Sequence, residues 1–215
     1  MRRIVVMQQT WRGGDTLLRA AADAATRMNT ELTGLFIEDI NLLNLAAMPF
    51  ARELCFPSAT RREMDVGRLE RSLRTLAGEA QRALEAVARR TALRSSFRVA
   101  RGALLAELLA AASETDVVVA GTLSRTSALS ELSVVCLASV ARSAVAGLIR
   151  ELAPWVRGVI TVVLLEADAD TAQHWETEVR ELIGRDGLAR RVRVLAPRNQ
   201  QELESLLRQP AGQSA

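Results

Sequence analysis

The residues able to do chemistry are few, and their types exclude most mechanisms. All 28 basic residues are arginine. Without lysine there is no Schiff-base amine, no phosphate-loop lysine and no lysine general base. The single histidine, His174, leaves no pair for a metal or a proton relay. A Ser/His/Asp triad would have to use it, and its flanks carry no nucleophile elbow. It falls in the first turn of an expected helix and reads as a surface residue. Cys55 and Cys136 are too few for a thiolate zinc cluster or a disulfide framework. Cys55 sits in an irregular stretch, where a thiol either responds to oxidation or packs; Cys136 lies in an apolar run and reads as core. Glu38 and Asp39 are adjacent carboxylates at a strand end, suited to metal binding, to acid–base work or to a plain polar turn. Gly13-Gly14 lacks the spacing of a dinucleotide fingerprint and reads as a flexible helix entry. These residues nominate no catalytic or metal-binding set, and the expectation is a protein that is not an enzyme.

Composition narrows the partners. Twenty-eight basic against 25 acidic residues leave a net charge of +3 on 215 residues. The clusters Arg61-Arg62, Arg89-Arg90 and Arg190-Arg191-Arg193 lie among acids, and aromatics are only 3%, so the stacking residues of nucleic-acid binders are missing. They read as solvated faces, and no nucleic-acid partner is expected. The most apolar stretch, Leu129 to Leu152, is interrupted by Glu131, Arg142 and Arg150. A charge at a bilayer centre costs about 3 kcal/mol, so no membrane span is expected. The apolar run of Ile4-Val5-Val6-Met7 is too short for a signal peptide, and the cytoplasm is the expected compartment. A hydrophobic content of 49% with 25% charged residues is that of a folded chain, its core built from Leu, Val, Ile and Ala.

Strands and helices alternate along the chain. Arg3 to Gln8 is a short β-branched run and reads as a buried strand. Asp15 is placed to cap a helix carrying Leu17, Leu18, Ala21, Ala22, Ala25 and Met28. A second strand spans Glu31 to Glu38. Residues 40 to 64 read as irregular, with Pro49 and Pro57 limiting regular structure. Leu69, Leu73, Leu76, Ala80, Leu84 and Val87 recur at three and four and mark a long helix, with Glu70–Arg74 and Glu85–Arg89 pairs on its outer face. A third strand spans Ser96 to Arg101, a short helix Leu104 to Ala112, and a fourth strand Asp116 to Ala120. A polar loop, Thr122 to Ser130, is expected to lead into a helix ending near Leu152. A fifth strand (Val159 to Glu166), a helix (Thr171 to Ile183), a sixth strand (Arg191 to Leu195) and a last helix (Glu202 to Arg208) follow. The fold class is therefore α/β: a parallel sheet with helices on both faces, an αβα sandwich. Two units are expected, residues 1–155 and a C-terminal βαβα segment, 156–210, in which residues 159–208 echo residues 31–113. In such sheets ligands sit beyond the carboxyl ends of the strands, here Gln8 to Gly14, Glu38 to Asn41, Arg101-Gly102 and Gly121 to Arg125.

In order and spacing these segments resemble the universal stress protein family, a HUP-type fold. The resemblance rests on Arg3-Ile4-Val5-Val6, on Asn29 through Glu38, on Val99-Ala100-Arg101-Gly102 before a Leu-rich helix, and on Thr115 through Thr122. It spans roughly residues 1 to 152, with the remainder resembling a second domain lacking its first strand and helix. The resemblance implies a stress-response or regulatory role, homodimer formation, and ATP or AMP held by a loop of form Gly-x2-Gly-x9-Gly-Ser/Thr. Glycines there let backbone N–H groups approach the phosphates.

The sequence departs from that pattern. No acid directly follows the first strand. Gly102 and Gly121 are present, but Ser124 replaces the second loop glycine, and Ala138-Ser139 stands for the last Gly-Ser after 13 residues. Each replaced glycine adds a Cβ costing about 1–2 kcal/mol where φ > 0 or close approach is needed. The expectation is a degenerate nucleotide site with no resident cofactor; the alternative is ATP held by a modified loop. The candidate ligand-binding residues are Gln8, Arg101, Gly102, Gly121, Thr122, Ser124, Arg125 and Ser139. Leu42 to Phe50 is too apolar to be left in water; it is expected to cover the protein's own surface or, within the loop 42–57, to dock a protein partner.

Overall fold

The structure is a computed structural model that describes residues 3–8, 14–55, 60–114, 117–123, 129–165, 167–184, 187–197 and 202. Strand β1 (Arg3–Gln8) carries Ile4, Val5, Val6 and Met7, all buried, which places it inside a sheet covered on both faces. Helix α1 (Gly14–Arg27) leads to β2 (Glu31–Asp39), parallel to β1 in the register Ile4↔Leu32 and Gln8↔Phe36. Asp15 lies inside the first turn of α1 rather than ahead of it. Helix α3 (Val66–Thr91) brings the chain to β5 (Ser95–Gly102), and α4 (Leu104–Glu114) to β6 (Val117–Leu123). Strand β7 (Leu129–Leu137), α5 (Arg142–Leu152), β8 (Ile160–Leu165), α6 (Ala169–Ile183) and β9 (Val192–Leu195) complete the sheet. Its order is β5-β2-β1-β6-β7-β8-β9, so the α/β class stands and the sheet runs on past residue 155. Of the helix expected over Glu202–Arg208, all but the helical Glu202 lies outside the described residues.

The sheet is not wholly parallel. Strands β5, β2, β1 and β6 are parallel to one another, as are β7, β8 and β9, but β6 and β7 are antiparallel. This corrects the helix expected after the loop Thr122 to Ser130 and ending near Leu152, whose first part is β7. A short apolar run reads equally as buried helix or buried strand. The connection decides: a parallel return needs a crossover of about a dozen residues. Only residues 124–128 separate β6 from β7, so the chain doubles back. Cys136 is core, as expected, but in a strand.

Residues 40–64, expected to be irregular, hold α2 (Ile40–Ala46) and a separate two-stranded ribbon, β3 (Arg52–Cys55) with β4 (Thr60–Glu63). Asp39 caps α2 by accepting a hydrogen bond from the Asn41 N–H at 2.9 Å. Asp65 caps α3 through the Arg68 N–H, and Ala92 closes it at φ 50. The pairs Glu70–Arg74 (3.6 Å) and Glu85–Arg89 (3.8 Å) form as the spacing predicts.

Helices cover both faces unequally. Helices α1, α5 and α6 and the C-terminal part of α3 share one core with Ile4, Val6, Val119, Val134 and Val162. The other face meets α4 through Leu108, Ala111 and Ala112. About β6 the sheet has an approximate two-fold plan: β1-α1-β2-α3-β5 on one side and β7-α5-β8-α6-β9, running the opposite way, on the other.

Candidate functional site

The parallel strands end together along one edge, and that edge gathers part of the expected set. Gln8 closes β1, Glu38 pairs with Arg101, Asp39 pairs with Gly102, and Ala120 pairs with Met7 just before Gly121 and Thr122. Ser124, Arg125 and the neighbouring Trp11 lie outside the described residues.

Arg101 is the cation an incoming phosphate would need, and it is already engaged. Its guanidinium donates to the Glu70 carboxylate, supplied by α3, and its Nε lies 3.5 Å from Glu38 Oε2. The hydrogen bond to Glu70 leads in raising the Arg101 pKa, with the charges of Glu70 and Glu38 adding to it against desolvation. Two carboxylates around one guanidinium leave the spot net negative. A polyphosphate would have to displace Glu70 and then face both acids. Beside them, a Cβ on Gly102 would collide with the carboxylate of Glu107, which stands in the first turn of α4. A helix N-terminus favours an anion, and here the chain's own glutamate supplies it.

Gly121 and Thr122 are not loop residues, which corrects the expected phosphate loop. Both belong to β6, paired with Leu132 and Glu131, and the register shifts only between Thr122 and Leu123. A Cβ on Gly121 would stand 3.0 Å from Leu129 Cδ2 and 3.4 Å from Leu17 Cδ2. The glycine sits where α1 packs closely on the sheet. Ser139 does not join the set at all. Strand β7 runs away from Gly121, and Ser139 follows its far end. At ~3.3 Å per residue, the five steps from Leu132 to Leu137 alone carry the chain roughly 17 Å down the sheet.

The remaining candidates take ordinary places. Asp39 is occupied as the cap of α2. His174 is an exposed residue of α6, with Nε2 3.1 Å from Glu178 Oε1. Burial pushes the Cys136 thiol up to about 12, too high for a reactive thiolate. Cys55 ends β3, and its side chain lies outside the description. Among the described residues no group of three His, Cys, Asp or Glu is arranged to hold a metal, and no helix is long and apolar enough to cross a membrane. A hollow bounded by Val6, Leu18, Gly34, Phe36, Leu84 and Phe97 lies in the core, lined by apolar side chains and glycine, with no polar group to orient a ligand.

Two features went unread in the sequence. Glu70 and Glu107 reach the strand ends from two different helices, and no spacing rule connects them to Arg101. The segment after β2 covers its own protein only through Leu43, Ala46 and Ala51; Leu42, Leu45, Met48 and Phe50 stay exposed. The expectation of intramolecular covering holds for a minority of its apolar residues.

No protein-family model and no curated protein matches the chain. Among solved structures it is similar to a universal stress protein from Archaeoglobus fulgidus DSM 4304, with a TM-score of 0.38 and 11% identity over 90% of this chain and 75% of that one. It is similar as well to the protein MT0777, with a TM-score of 0.27 and 10% identity over 96% of this chain and 93% of that one.

Proposed function

We propose that this chain is a non-catalytic regulatory protein of the universal-stress-protein type, acting in stress response through protein contact, with a nucleotide site that no longer grips phosphate. The observation that carries the reading is the state of Arg101, held by Glu70 and Glu38 beside a Glu107 whose carboxylate lies against Gly102. The chemistry-bearing residues support a non-enzyme, since the lone histidine is a surface residue and the buried thiol is protonated at neutral pH.

A second reading, ATP or AMP binding through a modified loop, draws on the gathering of Gln8, Arg101, Gly102 and Gly121 at one sheet edge. Isothermal titration of the full chain with Mg-ATP and with AMP separates the two. The expected result is no saturable heat up to about millimolar nucleotide, a binding free energy weaker than about −4 kcal/mol. Saturable binding in the micromolar range would establish the second reading instead.

A further inference from the structure

The sheet ends differently at its two outer strands. At β9, Arg180 donates to the Val192 carbonyl and Glu176 accepts from the Val194 N–H, so side chains of α6 already engage its backbone. At the other end, among the described residues, no strand lies beyond β5. One hydrogen bond fixes how β5 is turned: the Arg94 carbonyl accepts from the Leu32 N–H of β2. In a parallel ladder, alternate residues present both backbone groups to the same neighbour. Ser96, Arg98 and Ala100 therefore face β2, while Ser95, Phe97, Val99 and Arg101 turn their N–H and C=O groups outward. Such a row is a template for a further strand.

The side chains along that row select the occupant, because they alternate between two unlike flanks. Phe97 packs on the α3 face of the sheet and Ala100 on the α4 face. Val99 and Arg101 thus belong to the α3 face, and Arg94, Ser96 and Arg98 to the α4 face. On the α3 face Arg101 is held by Glu70 and Glu38, but Val99 is 48% exposed. It adjoins the exposed side chains of Ile40, Leu42, Leu45, Met48 and Phe50 in and after α2, which packs against β5. On the α4 face the exposed Arg94, 3.6 Å from Glu31, and Arg98 bring positive charge. They belong to a run of Arg89, Arg90, Arg94, Arg98 and Arg101 with no acid between Glu85 and Glu107. An edge with one apolar flank and one basic flank fits a strand whose side chains alternate apolar and acidic. An antiparallel second copy of β5 would set arginines beside arginines on the α4 face. A nucleic-acid backbone has no N–H to pair with the outward carbonyls.

We propose that the outer edge of β5 binds an extended segment of a different protein as an added strand, its apolar residues on Val99 and the α2 patch and its acidic residues beside Arg94 and Arg98. This rests on the reading of a protein that works by contact, and gives that contact its chemistry. The probe is a labelled peptide alternating valine and glutamate, matched in length to the eight residues of β5, titrated with the full chain by fluorescence anisotropy. Two controls are a peptide alternating valine and lysine, and one with the same valines and glutamates in two blocks. The alternating acidic peptide is expected to bind with a Kd of about 1–100 μM, and both controls at least about tenfold more weakly. Val99→Pro deletes an outward N–H and spares the ladder to β2, so it is expected to weaken binding at least about tenfold. Val99→Ala keeps the N–H and is expected to cost less than about threefold. Circular dichroism melting confirms that each variant is folded; Ser95→Pro, which also removes an outward N–H, replaces Val99→Pro if that one is not. An alternating acidic peptide that does not bind, controls that bind equally well, or a folded proline variant that binds like wild type would each overturn the proposal. So would a chain that sediments as a dimer and is dissociated by Val99→Pro, which gives the edge to a second copy, or a single-stranded oligonucleotide that binds more tightly than the peptide. Nucleotide titration reads the other question separately: bound ATP would unseat the regulatory reading and leave the peptide result standing.

Discussion

The two halves of the sheet share one plan and carry different loads. On one side β1-α1-β2-α3-β5 spends residues 40 to 94 between its second and third strands. On the other, β7-α5-β8-α6-β9 makes the same step with residues 166 to 191. Joining adjacent parallel strands takes only about a dozen residues or more, usually including a helix, so the shorter connection already suffices for the fold. Helix α2, the β3–β4 ribbon and the first turns of α3 are therefore additional to what the sheet requires. Among the described residues, six of the seven exposed large hydrophobics lie in or beside that addition, and Leu182 is the one in the second half. The second half instead turns inward. Trp175 is fully buried under α5, the Arg142 guanidinium lies 5.6 Å from its ring centre, and Arg142 pairs with Glu178. The compact half keeps its large apolar side chains inside; the enlarged half bears the features on which contact and regulation are proposed.

The comparison fails if the halves are separate folding units. They share one buried cluster running from Leu84 of α3 through Leu18 and Ile149 to Trp175 and Val194. Trp175→Ala is the largest single insult to it, about 3–5 kcal/mol by the usual cost of deleting a buried aromatic. The expected outcome is one cooperative denaturant transition shifted to a lower midpoint. Two transitions, with the first half melting at its wild-type midpoint, would show that the shared core does not couple them.

Strand β6 is the seam, and Gly121 tests what its glycine is for. With a Cβ already 3.0 Å from Leu129 Cδ2, Gly121→Val overfills the space between α1 and the sheet and is expected to cost about 1–3 kcal/mol. Chemical denaturation measures it. Unchanged stability would return Gly121 to a role in ligand approach, and with it the balance between a packed seam and an open one.

How much of this was legible follows from where the information lies. The central strands β1, β6 and β8 announce themselves because a strand covered on both faces must be apolar through its middle, and Ile4-Val5-Val6 or Ile160-Thr161-Val162-Val163 is little else, whereas the edge strands β5 and β9 carry exposed or half-buried polar residues between their apolar ones. Helix α3 is visible because Leu73, Ala80 and Leu84 must meet one surface. Strand β7 was hidden because Leu132-Ser133-Val134-Val135-Cys136 fits either period, and its misreading carried Ser139 to the wrong end of the sheet. The ribbon was hidden because Arg52-Glu53 and Arg61-Arg62-Glu63 bury no alternating face. Leu182 follows the buried Val179 by three residues in α6, yet it is exposed, and its carbonyl accepts from Arg150. At the candidate site, the strand-end rule found Arg101 and Gly102. It could not supply Glu70, which lies 31 residues away in sequence, nor the neutralisation that changes what Arg101 can do.

The smallest expected effect concerns how the second half starts its two helices. Ala141 begins α5 with no side-chain cap, whereas Asp168 begins α6 by accepting from the Thr171 N–H at 2.8 Å. Hydrogen bonds from the Thr171 side chain, then from its backbone, hold the Asp168 carboxyl below its ordinary value against a small opposing desolvation. A depressed folded value means the charged form is the one the fold favours. Its contribution is complete above the unfolded value of about 3.9 and is lost as the pH falls through the folded one. Asp168→Ala is therefore expected to lower the melting temperature slightly at pH 7, and the gap from wild type should shrink as the pH drops below about 4. Melting curves of both proteins at pH 7, 4 and 3 measure the gap. A gap that held constant down to pH 3 would mean that the carboxylate charge contributes nothing at this helix start, leaving α5 and α6 equivalent in the one respect where the second half is internally asymmetric.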